Sequence, residues 1–241
     1  MIMFQNVRER LSRFREKEVW LSGLITVVAA FVLILPQVLT KGVIADSDFL
    51  FHYNRFYETA MQIKTGNFSY FISLFGFYSS GRIVNALYGP YFAYFQGLLV
   101  LISRNWYTYQ LVSRFLMGII AGFSMNALTK RAGVKPKISL AIAVFYMTTF
   151  SIQYWTFRQG FSSWGAAVMP WCLIPAIDFI QTKKIAPVRL AVAVSVMVQI
   201  HMLSAFLLIL AYLPFYLYGF VKSTDKKNIL WNGIKAVALA L

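Results

Sequence analysis

Residues 44–66 read IADSDFLFHYNRFYETAMQIKTG and follow the first long apolar run of the chain. They hold Asp46, Asp48 and Glu58, in a chain with only 8 acidic residues, and His52, one of its 2 histidines. Read as a helix, Asp48, His52 and Arg55 fall at i, i+4 and i+7 and share one face. Phe49, Phe56, Ala60 and Ile63 make a second, apolar face. An amphipathic helix beside a membrane span lies in the interface with its apolar side down. The expected arrangement therefore holds an acid, an imidazole and a guanidinium at the water–lipid boundary.

Composition sets the surroundings of that stretch. Hydrophobic residues make up 59% of the chain and charged residues 13%, against about 25% charged in a soluble domain. Several apolar runs approach the roughly 20 residues that cross a bilayer as a helix. A β-barrel would show short alternating strands instead. The fold class expected is an all-α, polytopic membrane bundle with interfacial helices in the first extracytoplasmic loop. The net charge of +15 is assigned to cytoplasmic loops and anionic headgroups rather than to nucleic acid, because Lys and Arg cluster at span ends and no basic groove motif appears. The single cysteine, Cys172, lies in an apolar run and reads as a small buried hydrophobe.

Charge also orders the spans. Residues 1–18 form a basic cytoplasmic N-terminus, and 19–241 form the membrane domain. Val19–Thr40 is the first span, and 66–90 read as an interfacial loop with short helices. Tyr91–Ser103 is too short to cross readily. If it dips and returns, Trp106–Leu128 runs inward and Lys130, Arg131, Lys135 and Lys137 are cytoplasmic, as the positive-inside tendency requires. The spans 138–157, 165–180, 190–200 and 203–221 then alternate. Only Lys41, Arg55, Lys64, Arg82, Arg104 and Arg158 face outside, and Arg114 lies within a span. Residues 233–241 resemble the start of a further span, which suggests a truncated chain.

On this topology Asp46, Asp48 and Glu58 are the acids on the outer side. Asp46 and Asp48 either act chemically or cap the helix that follows. Arg114 either faces a cavity or partner, or snorkels to the headgroups. Arg158 and Gln159 fall in a tight outer turn, and His201 near the outer end of a span; both places also suit ordinary polar residues. There is no GxxxxGK[ST] loop, no GxGxxG and no GxSxG elbow.

The pieces DSDFLFHYNRFYETAMQIKTGNFS, GRIVNALYGPYFAYFQGLL, YWTFRQGFSSWGAAVMPWCLIP and QIHMLSAFLLIL, spread over residues 44–210, resemble GT-C type membrane glycosyltransferases. The nearer likeness is to bacterial YfhO-like and 6-pyruvoyl-tetrahydropterin synthase-related integral membrane proteins. The resemblance implies a polyprenyl-phosphate-linked sugar as donor and an envelope polymer or glycolipid as acceptor, with membrane lipids as further partners. It assigns catalysis to Asp48 or Asp46, with Mg²⁺ or Mn²⁺ bridging them to phosphate. His52, Arg55, Arg114, Arg158, Gln159 and His201 would bind substrate. In the resembled proteins an acid is expected a few residues after Arg-x-Gly; this chain has Ser162 and Ser163. A non-catalytic scaffold for envelope-polymer assembly and a lipid or solute transporter are the alternatives.

Overall fold

A computed structural model of the protein describes residues 2–46, 48–85, 88–153 and 162–240, with side chains from Lys17 onward apart from Ser162. The helices among them are α1 (Ile2–Thr40), α2 (Phe49–Thr65), α3 (Pro90–Ser103), α4 (Trp106–Arg131), α5 (Pro136–Met147), α6 (Ser162–Thr182), α7 (Pro187–Ile200), α8 (Met202–Lys222) and α9 (Lys226–Ala240). The described residues contain no strand beyond one isolated bridge between Ile72 and Ile83. Segments 17–40, 106–131, 163–182 and 202–222 are long and apolar enough to cross a membrane. Their outward faces carry large apolar side chains, such as Trp20, Leu24 and Phe31 on α1 and Phe206, Leu210 and Leu217 on α8. Such surface is stable against lipid and not against water. The protein is an all-α membrane bundle.

Helix α4 is the hub and touches α1, α3, α5 and α6. Hydrogen bonds between helices fix the directions. Asn126 Nδ2 donates to Ser22 Oγ at 2.8 Å, while Gly118 lies against Ala30, so α1 and α4 are antiparallel. Ser124 Oγ donates to the Ala167 carbonyl at 2.6 Å, and Arg131 pairs with Asp178, so α4 and α6 run parallel. Tyr212 donates to the Cys172 carbonyl and Gly165 meets Ser204, so α8 is parallel to α6. Helix α7 is antiparallel to α6, since Cys172 reaches the Ala193 carbonyl and Asp178 reaches Arg189. Each such bond contributes about 0.6–2 kcal/mol in a membrane. Among these helices, α1 and α7 thus run opposite to α4, α6 and α8.

Three local features refine the expectation. The segment 138–157 is not one helix: α5 stops at Met147, where Thr148 and Thr149 turn their hydroxyls onto the carbonyls of Phe145 and Tyr146, as β-branched hydroxyl residues do in competition with the helix. The basic N-terminus and the first span form a single helix. Between α2 and α3 the described residues include one short helical turn, Phe77–Ser79.

Helix α3 spans 14 residues, about 21 Å at about 1.5 Å per residue, short of the roughly 30 Å hydrocarbon core. A tight reversal at Arg104 and Asn105 follows it, where Asn105 Oδ1 caps α4 by accepting from Thr108 N at 2.8 Å. Helix α3 lies back along the first half of α4, with Tyr109 donating to Gln96 at 2.7 Å. It also packs on α2 at a small-residue seam: Thr59 Oγ1 donates to the Ala93 carbonyl at 2.7 Å, and Gly97 faces Thr59 and Ala60. A Cβ at Gly97 would sit 2.4 Å from Thr59 Oγ1 and 2.7 Å from the Ala60 nitrogen. Gly97→Val is expected to cost about 1–3 kcal/mol through overpacking, read as a lower Tm in detergent; an unchanged Tm would show that this seam is not tight.

Candidate functional site: a polar junction around helix α2

The linker 41–48 carries Asp46 and Asp48 away from α1, and α4 holds it in place. Gln110 Nε2 donates to the Ile44 carbonyl at 2.7 Å, and the Ile44 amide donates to Gln110 Oε1 at 2.9 Å. The same Oε1 accepts from Gln37 Nε2 at 2.7 Å, and that nitrogen also donates to the Gly42 carbonyl at 3.0 Å. One helical turn further along α4, Arg114 donates to Gln37 Oε1. Arg114 is 5% exposed, so it does not snorkel. Its guanidinium turns inward to α1. An Arg114–Gln37–Gln110–Ile44 ladder thus positions the linker two residues before Asp46.

Asp48 occupies the N-cap of α2 but makes no side-chain cap bond; its carboxylate is exposed. The capping reading therefore does not describe this carboxylate. Asp46 is half-buried, and its carbonyl accepts from the Phe49 amide at 3.0 Å. Arg158 and Gln159 lie outside the described residues.

Helix α2 does not rest with its polar face toward water. His52, Arg55 and Glu58 are all buried, at 8%, 2% and 3% exposure, while Leu50, Tyr57 and Lys64 are exposed. The cause is the segment 66–85, with Tyr88 and Gly89, which folds back over that face. Glu58 accepts from the amides of Leu74, Phe75 and Gly76 at 2.8, 2.7 and 2.6 Å and from Gln62 Nε2 at 2.6 Å. Asn54 Oδ1 accepts from the Phe77 amide at 3.0 Å. These bonds hold Phe77, Tyr78 and Ser79 in left-handed backbone, with φ of 53°, 57° and 56°, a conformation that costs non-glycine residues about 1–2 kcal/mol each. Glu58 is an anchor rather than a free acid. Burial pushes its carboxyl up, but the Leu74 amide, Gln62 and the amides of Gly76 and Phe75 together hold it below its usual value.

Arg55 is buried beneath Tyr88, whose ring centre lies 4.9 Å from the guanidinium carbon, and Nη2 donates to the Gly89 carbonyl at 3.4 Å. No carboxylate among the described residues pairs with it. Burial draws its pKa down to about 10. Gly89 lies so close to Gln199, at the end of α7, that a Cβ there would come within 2.2 Å of the Gln199 carbonyl oxygen. Gln199 Oε1 accepts from the Tyr91 amide at 3.3 Å. Two residues later His201 caps α8, its Nδ1 accepting from the Ser204 amide at 3.2 Å. His52 lies edge-on to Tyr88, with ring centres 6.2 Å apart. Burial first, then the charges of Arg55 and His201, hold the His52 imidazole down at about 3. The structure thus brings His52 and Arg55 to the α7–α8 junction that carries His201, while Arg114 belongs to the ladder behind the linker.

The buried glutamines Gln37, Gln62, Gln96 and Gln110 were not among the residues singled out from the sequence. Their signal was an amide inside or beside an apolar run; Gln110 and Arg114 even share a helix face at i and i+4. The described residues hold no group of three or more His, Cys, Asp or Glu placed to bind a metal ion. No protein family, curated protein or solved structure matches this chain.

Two outcomes test this geometry. Gln110→Leu leaves both polar groups of Ile44 without their partner, a loss of about 1–3 kcal/mol, and is expected to speed hydrogen exchange and proteolysis across residues 41–48; unchanged protection would remove Gln110 from linker positioning. The second outcome is a pH dependence. The folded His52 stays neutral where the unfolded imidazole, with its ordinary value of 6.5, takes up a proton, so stability falls as pH drops from 6.5 toward 3. Glu58, depressed below 4.5, contributes stability that is complete above that value and is lost as pH falls through its folded pKa. In Tm against pH, His52→Gln should flatten the first decline and Glu58→Gln the second. Profiles that keep both declines would contradict these environments.

Proposed function

We propose that the protein is a membrane glycosyltransferase that moves a sugar from a polyprenyl-phosphate-linked donor to an envelope acceptor on the extracytoplasmic face. The N-terminus is cytoplasmic in this reading, and the linker and α2 lie outside. The observation that carries it is the convergence around α2. An exposed carboxylate, Asp48, stands one turn ahead of a neutral imidazole, His52, and a buried guanidinium, Arg55, that lacks a carboxylate partner among the described residues. A buried cation at the edge of an apolar bundle suits a lipid-linked phosphate.

In the mechanism proposed, the acceptor hydroxyl attacks the anomeric carbon and the lipid phosphate leaves. Asp48 takes the hydroxyl proton. Arg55, with Arg158 and His201, stabilises charge on the departing phosphate. Neutral at physiological pH, His52 orients the acceptor by hydrogen bonding. Two carboxylates completed by substrate phosphate are an ordinary Mg²⁺ environment, so Asp46 and Asp48 would hold Mg²⁺ or Mn²⁺ and the ion would neutralise phosphate charge. A non-catalytic envelope scaffold is the second reading. It is favoured by Ser163, which stands where the resembled enzymes would carry an acid. Ser163 is fully buried, and its hydroxyl donates to the Ser151 and Ile152 carbonyls at 3.4 Å.

Native mass spectrometry of the protein in nanodiscs with polyprenyl-phospho-sugars is the test. Arg55→Gln is expected to weaken phosphate-dependent binding by about tenfold or more, the scale of one charged hydrogen bond. Asp48→Asn should bind donor normally and abolish transfer. Retained transfer in Asp48→Asn would remove that residue from the mechanism, and absent binding in the wild type would favour the scaffold.

A further inference from the structure

Helix α9 packs along α7 rather than against α8, with Gly233 facing Ile185 and Ser195 Oγ donating to the Ala240 carbonyl at 3.4 Å. An open groove of about 700 Å³ runs between α8 and α9, within the range of small-ligand sites. Its walls are apolar, with Leu213, Leu217 and Phe220 on α8 facing Leu230, Ile234 and Val237 on α9. The two ends of the groove differ. The link 222–227, KSTDKK, crosses one of them, since α8 ends at Lys222 and α9 begins at Lys226. Lys226 Nζ lies 5.7 Å from the centre of the Phe220 ring on the groove wall. Lys222, Lys226 and Lys227 are exposed and pair with no carboxylate among the described residues. Asp225, the one acid of the link, is engaged at the start of α9, where its Oδ1 accepts from the Asn228 amide at 3.1 Å. From the lysines the groove runs to Leu213 on α8 and to Ala238 on α9. That is about 10–14 Å at about 1.5 Å per residue, close to half of the roughly 30 Å hydrocarbon core.

We propose that this groove is a binding site for one anionic phospholipid, with an acyl chain between α8 and α9 and the phosphate on Lys222 and Lys226. Two features select this occupant. The groove is apolar over the depth of one leaflet, and its single charged end carries lysines without carboxylates. Basic residues at a membrane surface attract anionic headgroups in this way. A zwitterionic lipid would cover the walls equally well but bring the lysines no net counter-charge. Gly233 opens the floor. A Cβ there would meet nothing nearer than Ile185 Cδ1 at 4.0 Å, so the packing of α9 does not require glycine, and glycine weakens a helix interior relative to alanine. Its missing side chain leaves room for the acyl chain. Helix α8 runs parallel to α6 and α4, so the lysines lie at the Arg131–Asp178 end of the bundle, away from Asp48 and Arg55. This inference therefore stands apart from the transferase reading and is tested without a sugar donor.

The test is native mass spectrometry of the full chain released from nanodiscs that contain phosphatidylglycerol and phosphatidylcholine in equal amounts. The wild type is expected to retain one phosphatidylglycerol in preference to phosphatidylcholine. Changing Lys222→Gln and Lys226→Gln should weaken that preference by about fivefold for each lysine, the strength of one basic residue beside an anionic surface. Gly233→Leu puts a side chain into the groove without touching a neighbouring helix backbone, and should abolish retention. Lys130→Gln with Lys135→Gln, at the same end of the bundle but off the groove, should leave it unchanged and so excludes a general attraction to basic residues. The lysine variants leave the groove walls intact, so the result does not depend on how the Gly233 variant folds. Equal retention of the two lipids by the wild type, or a preference undiminished without Lys222 and Lys226, would overturn the proposal. So would a lipid-free dimer of the wild type that Gly233→Leu dissociates, since a second copy would then fill the groove.

Discussion

A backbone group that enters an apolar bundle must find its hydrogen-bond partner there. Ile44 finds both of its partners in one side chain, the amide of Gln110. Because an amide offers a donor and an acceptor side by side, it can pair with a residue as a neighbouring strand would. That pairing determines where the chain leaves α1 and how it approaches α2. Gln37 secures the amide, and Arg114 secures Gln37. An arginine placed within an apolar helix thus serves the linker through α1.

The second constraint is the cover over α2. Three consecutive amides converge on Glu58, and charge-assisted hydrogen bonds of this kind are stronger than neutral ones. Their combined strength offsets the left-handed backbone at Phe77–Ser79. The consequence for chemistry is direct. With the cover closed, His52 and Arg55 lie in a low-dielectric space, where an imidazole stays neutral and a guanidinium attracts anions strongly. The linker leaves Asp48 exposed at the rim. In the function proposed, that exposed acid would meet an acceptor arriving from water, and Arg55 a phosphate-bearing donor arriving from lipid.

One cluster at the opposite end of the bundle shows the same logic in a purely structural role. Asp178 is 9% exposed and joins Arg131 of α4 to Arg189 of α7. Gln181 donates to the Arg131 carbonyl at 2.9 Å. Here the acid is matched by two cations, and the cluster ties three helices together. The contrast with Arg55, buried with no acid of its own among the described residues, separates a structural charge cluster from a candidate binding one.

Much of the architecture was legible in the amino-acid order. Apolar length and composition gave an all-α bundle with helices long enough to cross a membrane, because insertion into lipid depends on local runs. The shortness of the 91–103 segment was equally readable. Periodicity placed Asp48, His52 and Arg55 on one face of α2, but it could not say what that face meets. Tertiary structure alone decided that His52 and Arg55 are buried, that Glu58 is an anchor, and that Arg114 faces Gln37. Those outcomes depend on partners more than ten positions away, such as Leu74 for Glu58, Gly89 for Arg55 and Gln37 for Arg114. Helical spacing reports neighbours within a turn or two, whereas a buried polar group takes whatever partner the packing of distant segments brings within hydrogen-bond reach.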